Sequence, residues 1–219
     1  MISDSDKSKL VNEKPAKLLL ATNNLGKIKE FRLLLKKLPY KIISTSELGI
    51  NFQVIENGNT FEENAYIKAS AYSNKTGLVS LADDSGIEVD ALDGRPGIFS
   101  ARYGGSSLTD EDRVNLLLEE MKNISWEERK ARFRSVIVVA WPDGKTITQE
   151  GILEGFLTFE PLGENGFGYD PILYLPKHEK TSAQLTITEK NSISHRAQAT
   201  KKIVNILMRE YTNEFKKIS

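Results

Sequence analysis

The sequence predicts an α/β protein built on a mixed β-sheet flanked by helices. Three observations carry that prediction. Short apolar runs alternate with segments of helical period in the first half of the chain. A long β-branched run followed by a hairpin signal occupies the second half. A single amphipathic segment closes the chain.

Taken in order, Lys17 to Thr22 (KLLLAT) reads as a first strand, stopped by Asn23-Asn24-Leu25-Gly26, a turn composition. From Lys27 the period changes: Ile28, Phe31, Leu34 or Leu35, and Leu38 share one helical face, with Pro39 as the stop. Lys41 to Thr45 is a second strand. Thr60 and Glu63 have capping-box spacing and open a helix to about Thr76, with Gly77 as its C-cap. Leu78 to Ala82 is a strand expected to end in Asp83-Asp84-Ser85-Gly86. Thr109 and Ser125 each precede an acid by three residues and predict two more helix starts. Phe133 to Trp141 is the strongest strand, Asp143-Gly144 its turn, and Thr146 to Leu153 its partner. Ile172 to Leu175 is a further strand, and about Ser194 to Phe215 forms one helix with Ile203, Leu207 and Tyr211 on one face.

With 219 residues the chain holds one sizeable core or two small lobes. No Pro/Gly/Ser-rich linker divides it, so residues 15–219 read as a single domain behind a flexible polar tail, residues 1–14. That tail lacks the apolar h-region of a signal peptide, and no run approaches a bilayer span, so a cytoplasmic protein is expected. Thirty Lys+Arg balance thirty Asp+Glu, which disfavours a long nucleic acid as partner. The absence of cysteine excludes disulfides, thiol nucleophiles and Cys-ligated metals. The two histidines, His178 and His195, are too far apart for a compact His-x-x-x-His site.

Four segments carry candidate chemistry. Thr22, Asn23, Asn24, Leu25, Gly26 and Lys27 form a loop entering a helix N-terminus, where free N–H groups and a lysine suit phosphate. Adjacent Asp83 and Asp84 are hard to explain as packing, and one or two carboxylates with phosphate oxygens make a Mg²⁺ site; Glu56 is a loop acid able to share it. Gly166-Phe167-Gly168 offers an aromatic ring as a stacking platform. Lys190 to Arg196 (KNSISHR), placed at the head of the last helix, is rich in hydrogen-bond donors. Each has an ordinary alternative, a turn, an Asx turn, a buried Phe, a capped helix; together they equip a Mg²⁺-nucleotide site.

The runs ATNNLGK (21–27), TFEENAYIKA (60–69), LADDSGIEVDALDGRPGIFSARYGG (81–105), GFGYDPILYLP (166–176) and EKNSISHRAQA (189–199) resemble the motifs of the inosine triphosphate pyrophosphatase family, in order, over nearly the whole chain after residue 16. The resemblance implies an elongated mixed sheet in two lobes with the active site in the cleft between them. It implies Mg²⁺-dependent hydrolysis of ITP, dITP, XTP or dXTP to the monophosphate and pyrophosphate, clearing noncanonical purines from the nucleotide pool, by a homodimer. It implies Asp84 as proton acceptor and metal ligand, Glu56 as second ligand and Ser85 touching substrate. Thr22 to Lys27, with Asn64 and Lys68, would serve the triphosphate. Phe167, Gly168, Tyr169 and Asp170 would enclose the base, and Lys190, His195 and Arg196 would complete the purine pocket. Two positions depart from the family pattern: Ile55 precedes Glu56 where two successive acids are common, and Thr188 replaces an acid. A pyrophosphatase for modified pyrimidines and a non-catalytic nucleotide-binding protein are the rival readings.

Overall fold

The computed structural model describes residues 16–218; the predicted tail, residues 1–14, lies outside them. Seven strands form one sheet: β1 (Lys17–Leu20), β2 (Lys41–Ser44), β3 (Val79–Val89), β4 (Lys130–Ala140), β5 (Thr146–Leu157), β6 (Leu173–Leu175) and β7 (Lys180–Thr181), in the order β2-β1-β3-β4-β5-β6-β7. Among the described residues five α-helices join them: α1 (Leu25–Leu34), α2 (Phe61–Thr76), α3 (Asp110–Glu120), α4 (Ile187–Ile193) and α5 (His195–Ile218). The pairs β2/β1 and β1/β3 are parallel, and every pair from β3 to β7 is antiparallel, so the sheet is mixed.

Two topological facts position the site. The chain leaves β1 for β2 on one side and returns to β3 on the other, so the carboxyl end of β1 is a switch point, where open α/β sheets bind ligands. And β1 pairs with β3 only as far as Leu81, while β4 follows β3 along its whole length. The second half of β3 therefore continues past the end of β1 and leaves room beside it.

Alternation along β3 sorts its side chains. Leu81 packs with Phe31 and Leu35 of the α1 segment and Ile203 and Leu207 of α5. Ala82 faces the other way, onto Ala65, Ala69 and Tyr72 of α2. Past the acidic pair, Ile87 and Val89 join a third cluster with Val114 and Leu117 of α3. Fully burying a side chain such as Phe31 contributes roughly 1.5–3 kcal/mol. The sheet thus carries separate cores at its two ends, with Asp83–Gly86 between them.

The element boundaries correct several expectations. The Asp83-Asp84-Ser85-Gly86 run does not end a strand: β3 passes straight through it, paired residue for residue with Ser135, Val136 and Ile137 and with Arg134. Turn composition is overridden by a neighbour strand and by Gly86, where a Cβ would sit 2.3 Å from the Gly97 carbonyl oxygen. The first helix stops at Leu34, well before Pro39. Thr60 caps α2 by accepting from Glu63 N, but Glu63 Oε2 reaches Asn59 N at 2.6 Å, not the Thr60 amide. Thr109 opens α3 with a complete capping box through Asp112, whereas Ser125 opens only the 3-10 turn Trp126–Glu128. Lys190 belongs to α4, a separate short helix that Ser194 divides from α5. No helix among the described residues is long and apolar enough to cross a membrane.

Candidate active site

A cavity of about 400 Å³ opens at the switch point, beside the second half of β3. Its wall contains Thr22, Asn23, Asn24, Lys27, Glu56, Lys68, Asp84 and Ser85 at one end, and Phe167, Gly168, Tyr169, Asp170, Lys190, His195 and Arg196 at the other. Segments predicted from separate parts of the sequence are therefore brought together. Of the residues that the resemblance implies for the site, three are not in the wall. Leu25 points to solvent, 81% exposed. Gly26 lies behind the Phe167 ring, where a Cβ would be 2.5 Å from Cδ1. Asn64 is buried, and its Oδ1 accepts Gly58 N–H at 2.8 Å, so it shapes the loop that follows Glu56.

The loop after β1 is already hydrogen-bonded. Asn24 caps α1 by accepting Lys27 N–H at 2.9 Å, Thr22 Oγ1 accepts Asn24 N–H at 3.2 Å, and Thr45 donates to Asn23 Oδ1 at 2.5 Å. The cap fixes where Lys27 leaves the helix.

The acidic pair splits by strand period. Asp83 faces the α1/α5 side and does not line the cavity. It pairs with Lys27 Nζ at 2.7 Å and Arg196 Nη2 at 3.1 Å, and Ser135 and Ser85 donate to it. Burial alone would raise its pKa, but Arg196, Lys27 and these hydrogen bonds hold it well below the usual carboxylate range. Asp84 faces the α2 side and lines the cavity. Its Oδ2 is enclosed without a hydrogen-bond partner. Burial pushes its pKa up, with Glu56 and Asp83 adding to the rise and Lys27 and Lys68 opposing it. Lys68 meanwhile pairs with Glu56 at 2.7 Å.

The far end is a connected set of buried charges. Glu30, 4% exposed on α1, pairs with Lys190 at 2.8 Å and with Arg196 Nη1 at 2.6 Å. Lys190 also meets Asp170 Oδ2 at 2.5 Å, and Asp170 accepts from Ser182 Oγ and from Phe167 N. Arg196 remains cationic: burial would lower its pKa, but Asp83 and Glu30 outweigh that and raise it. Its Nε–H and the Nδ1 of His195 have no partner. Burial, then neighbouring Arg196, push the His195 pKa well below its ordinary value, so the ring is neutral and keeps one donor and one acceptor. The Phe167 ring lies 5.0 Å from Lys190 Nζ and 5.7 Å from the Arg196 guanidinium carbon.

Sequence reading missed Glu30, Asp110, Ser100 and Arg102. Glu30 resembles any exposed helix acid, and its partners are about 160 residues away. The last three belong to or follow the GRPGIFSARYGG run, to which no chemistry was assigned; Ser100 Oγ accepts Ile87 N–H at 2.9 Å and its carbonyl accepts from Tyr169 OH at 3.0 Å.

A divalent cation needs oxygen ligands. Among the described residues no three acidic or histidine side chains converge on one point. Asp84, with its enclosed unpartnered oxygen, and Glu56 share the same cavity wall, and one or two carboxylates suffice where phosphate and water oxygens complete the shell. The donor set fits a hard cation such as Mg²⁺.

The sequence profile of the Ham1 family matches residues 18–206. The chain is 48% identical over 198 residues to a dITP/XTP pyrophosphatase of Desulforamulus reducens, covering 90% of this chain and 98% of that one. It is 46% identical over 189 residues to a dITP/XTP pyrophosphatase of Bacillus subtilis, covering 86% and 96%. Its structure is similar to that of the Staphylococcus aureus Ham1 protein, with a TM-score of 0.80 at 43% identity, covering 89% of this chain and 99% of that chain.

Proposed function

The chain belongs to the Ham1 family, and from that premise we propose that it is a nucleoside triphosphate pyrophosphatase acting on noncanonical purine nucleotides, ITP, dITP, XTP and dXTP. Water attacks the α-phosphorus, the α–β bond breaks, and the monophosphate and pyrophosphate leave. The observation that carries the reading is Asp84, a half-buried carboxylate with one enclosed, unpartnered oxygen in a wall shared with Lys27, Lys68 and Glu56.

Asp84 and Glu56 would hold Mg²⁺, which when bound neutralises phosphate charge and acidifies a water. Asp84 accepts the water's proton. Lys27 and Lys68 turn from Asp83 and Glu56 to the phosphate oxygens, and Ser85 adds a hydroxyl. Phosphoryl transfer depends mainly on such positioning and charge neutralisation. At the far end Phe167 stacks on the base beside Gly168, Tyr169 and Asp170. Arg196 Nε–H and the His195 ring are the groups with capacity left to read a 6-oxo purine, while Lys190 holds Asp170 and Glu30 in place. Adenine's 6-amino group would leave those donors unpaired, which a hydrogen-bonding site rejects strongly.

In this reading residues 15–219 work as one domain, in the cytoplasm and as a homodimer, the last checked by sedimentation. Pyrophosphate release from ITP, XTP, GTP and ATP, with and without Mg²⁺, tests the function. ITP and XTP are expected to exceed ATP by at least about 100-fold in kcat/KM, and only with the metal. Equal turnover of ATP, or turnover of modified pyrimidines in its place, overturns the reading.

A further inference from the structure

The base end of the cavity is closed by residues 166–169, which lie in no strand or helix, and by Asp170, which opens the 3-10 turn Asp170–Ile172. Residues 166–170 carry Phe167, and two carboxylates hold their backbone. From the buried side, Asp170 folds back to accept Phe167 N–H at 2.9 Å, itself anchored by Lys190 and Ser182. From the opposite side, Asp110 reaches across from the first turn of α3, and its Oδ2 accepts Gly168 N–H at 3.0 Å. The two residues are 58 apart in sequence, so this bond ties the loop to the start of α3, alongside the Tyr169 hydroxyl bond to the Ser100 carbonyl. Asp110 is itself oriented: its Oδ1 meets Arg113 Nη1 at 3.3 Å, and Arg113 Nη2 donates to the Gly105 carbonyl at 3.4 Å. Asp110 also lines the cavity.

We propose that Asp110 is a positioning residue that latches the 166–170 loop, and with it the Phe167 ring, in the conformation that receives the purine. It touches no reacting atom. Gly168 sits at φ +59°, a left-handed conformation that glycine adopts without steric cost, and Asp110 Oδ2 accepts its amide. Asp170 fixes the amide on one side of the ring, and the Asp110 latch fixes the amide on the other. A ring held at both flanking amides presents its face to a base without first losing loop entropy. The inference rests on the nucleotide reading of the cavity and adds to it a residue outside the phosphate and base groups named above.

The test uses the full chain with Mg²⁺ and ITP. Asp110→Ala is expected to raise KM about 3- to 10-fold, the range for one lost hydrogen bond at a solvent-exposed site, with kcat within about twofold. Asp110→Asn keeps a carbonyl acceptor and is expected to restore KM to within about twofold of the parent. Asp110→Ser, too short to span to Gly168 but able to accept at the helix start, gives the same reading should alanine lower stability. Glu111→Ala removes the next acid of the same helix turn as a control for helix stability. Amide exchange separates a latch from a merely structural residue: segment 166–170 is expected to exchange faster in Asp110→Ala and Asp110→Ser, with α3 unchanged. Unaltered KM and unaltered exchange in that segment overturn the proposal. Failure of the parent chain to release pyrophosphate from ITP would instead overturn the function, and the exchange result would still decide the latch.

Discussion

The two ends of the cavity handle charge differently. At the base end Glu30, Lys190, Asp170, Arg196 and Asp83 are nearly or fully buried and joined in one chain of ion pairs. At the phosphate end Lys27 and Lys68 each lean on a single carboxylate, and Asp84 keeps an enclosed oxygen with no partner. The ion pairs of the first arrangement are closed on one another, and only the Arg196 Nε–H and His195 Nδ1 are left without a partner there. In the proposed reading the second is completed by a cation and phosphates that bind together. The closed network at one end would then read the base, and the unpartnered carboxylate with its two lysines at the other would take up the triphosphate.

Breaking the finished end should register first as lost stability. Glu30→Gln strips Lys190 and Arg196 of a shared partner inside the protein, and removing one member of a buried ion pair typically costs about 3–5 kcal/mol. Thermal unfolding is expected to fall by roughly 6–20 °C for a chain of this size. A loss under about 1 kcal/mol would mean that the set behaves as surface charge.

A smaller effect sharpens the same contrast through pH. His195 is held neutral, its folded pKa below the ordinary value, because burial and Arg196 disfavour the charged ring. In the unfolded chain it takes a proton near pH 6.5, so the unfolded state binds more protons on acidification and stability falls as pH drops below about 6.5. Between pH 7 and pH 5 the native chain should lose about 2 kcal/mol more than His195→Gln, because this residue no longer titrates. Parallel stability curves for the two proteins would contradict a neutral buried ring. His178, outside the cavity wall, serves as the control position.

The smallest change perturbs only the stacking ring. In Gly26→Ala the new methyl would fall 2.5 Å from Phe167 Cδ1 and displace the ring. Base–aromatic stacking is worth about 1–3 kcal/mol, so KM for ITP should rise roughly tenfold with kcat little changed. An unchanged KM would place the base elsewhere in the cavity.

Local physics made much of the fold legible in the sequence. The caps at Thr60, Thr109 and Gly77, the Asp143-Gly144 turn and the apolar face ending in Ile203 and Leu207 are short-range signals. The failures are long-range. Asp83–Gly86 has turn composition, yet β4 and the close approach of Gly97 and Ser100 keep it extended. That extension in turn decides the two carboxylates: strand period sends Asp83 to Arg196, 113 residues away, and Asp84 into the cavity. Glu30 and Asp110 stayed hidden for the same reason, because their partners lie on segments that only tertiary folding brings near. Asn64 shows the converse: its place in a matching motif suggested phosphate support, and the structure puts its side chain on the Gly58 amide.

The measurement that bears most directly on the contrast between the two ends is steady-state pyrophosphate release from ITP by Asp84→Asn at saturating Mg²⁺. The substitution keeps shape and leaves the base end intact but removes the charge and the proton acceptor at the unfinished end. The expected result is a fall in kcat of at least about 10³-fold, with KM for ITP within a fewfold of the parent and unfolding temperature not lowered. Near-normal turnover by Asp84→Asn would contradict the assignment of this carboxylate.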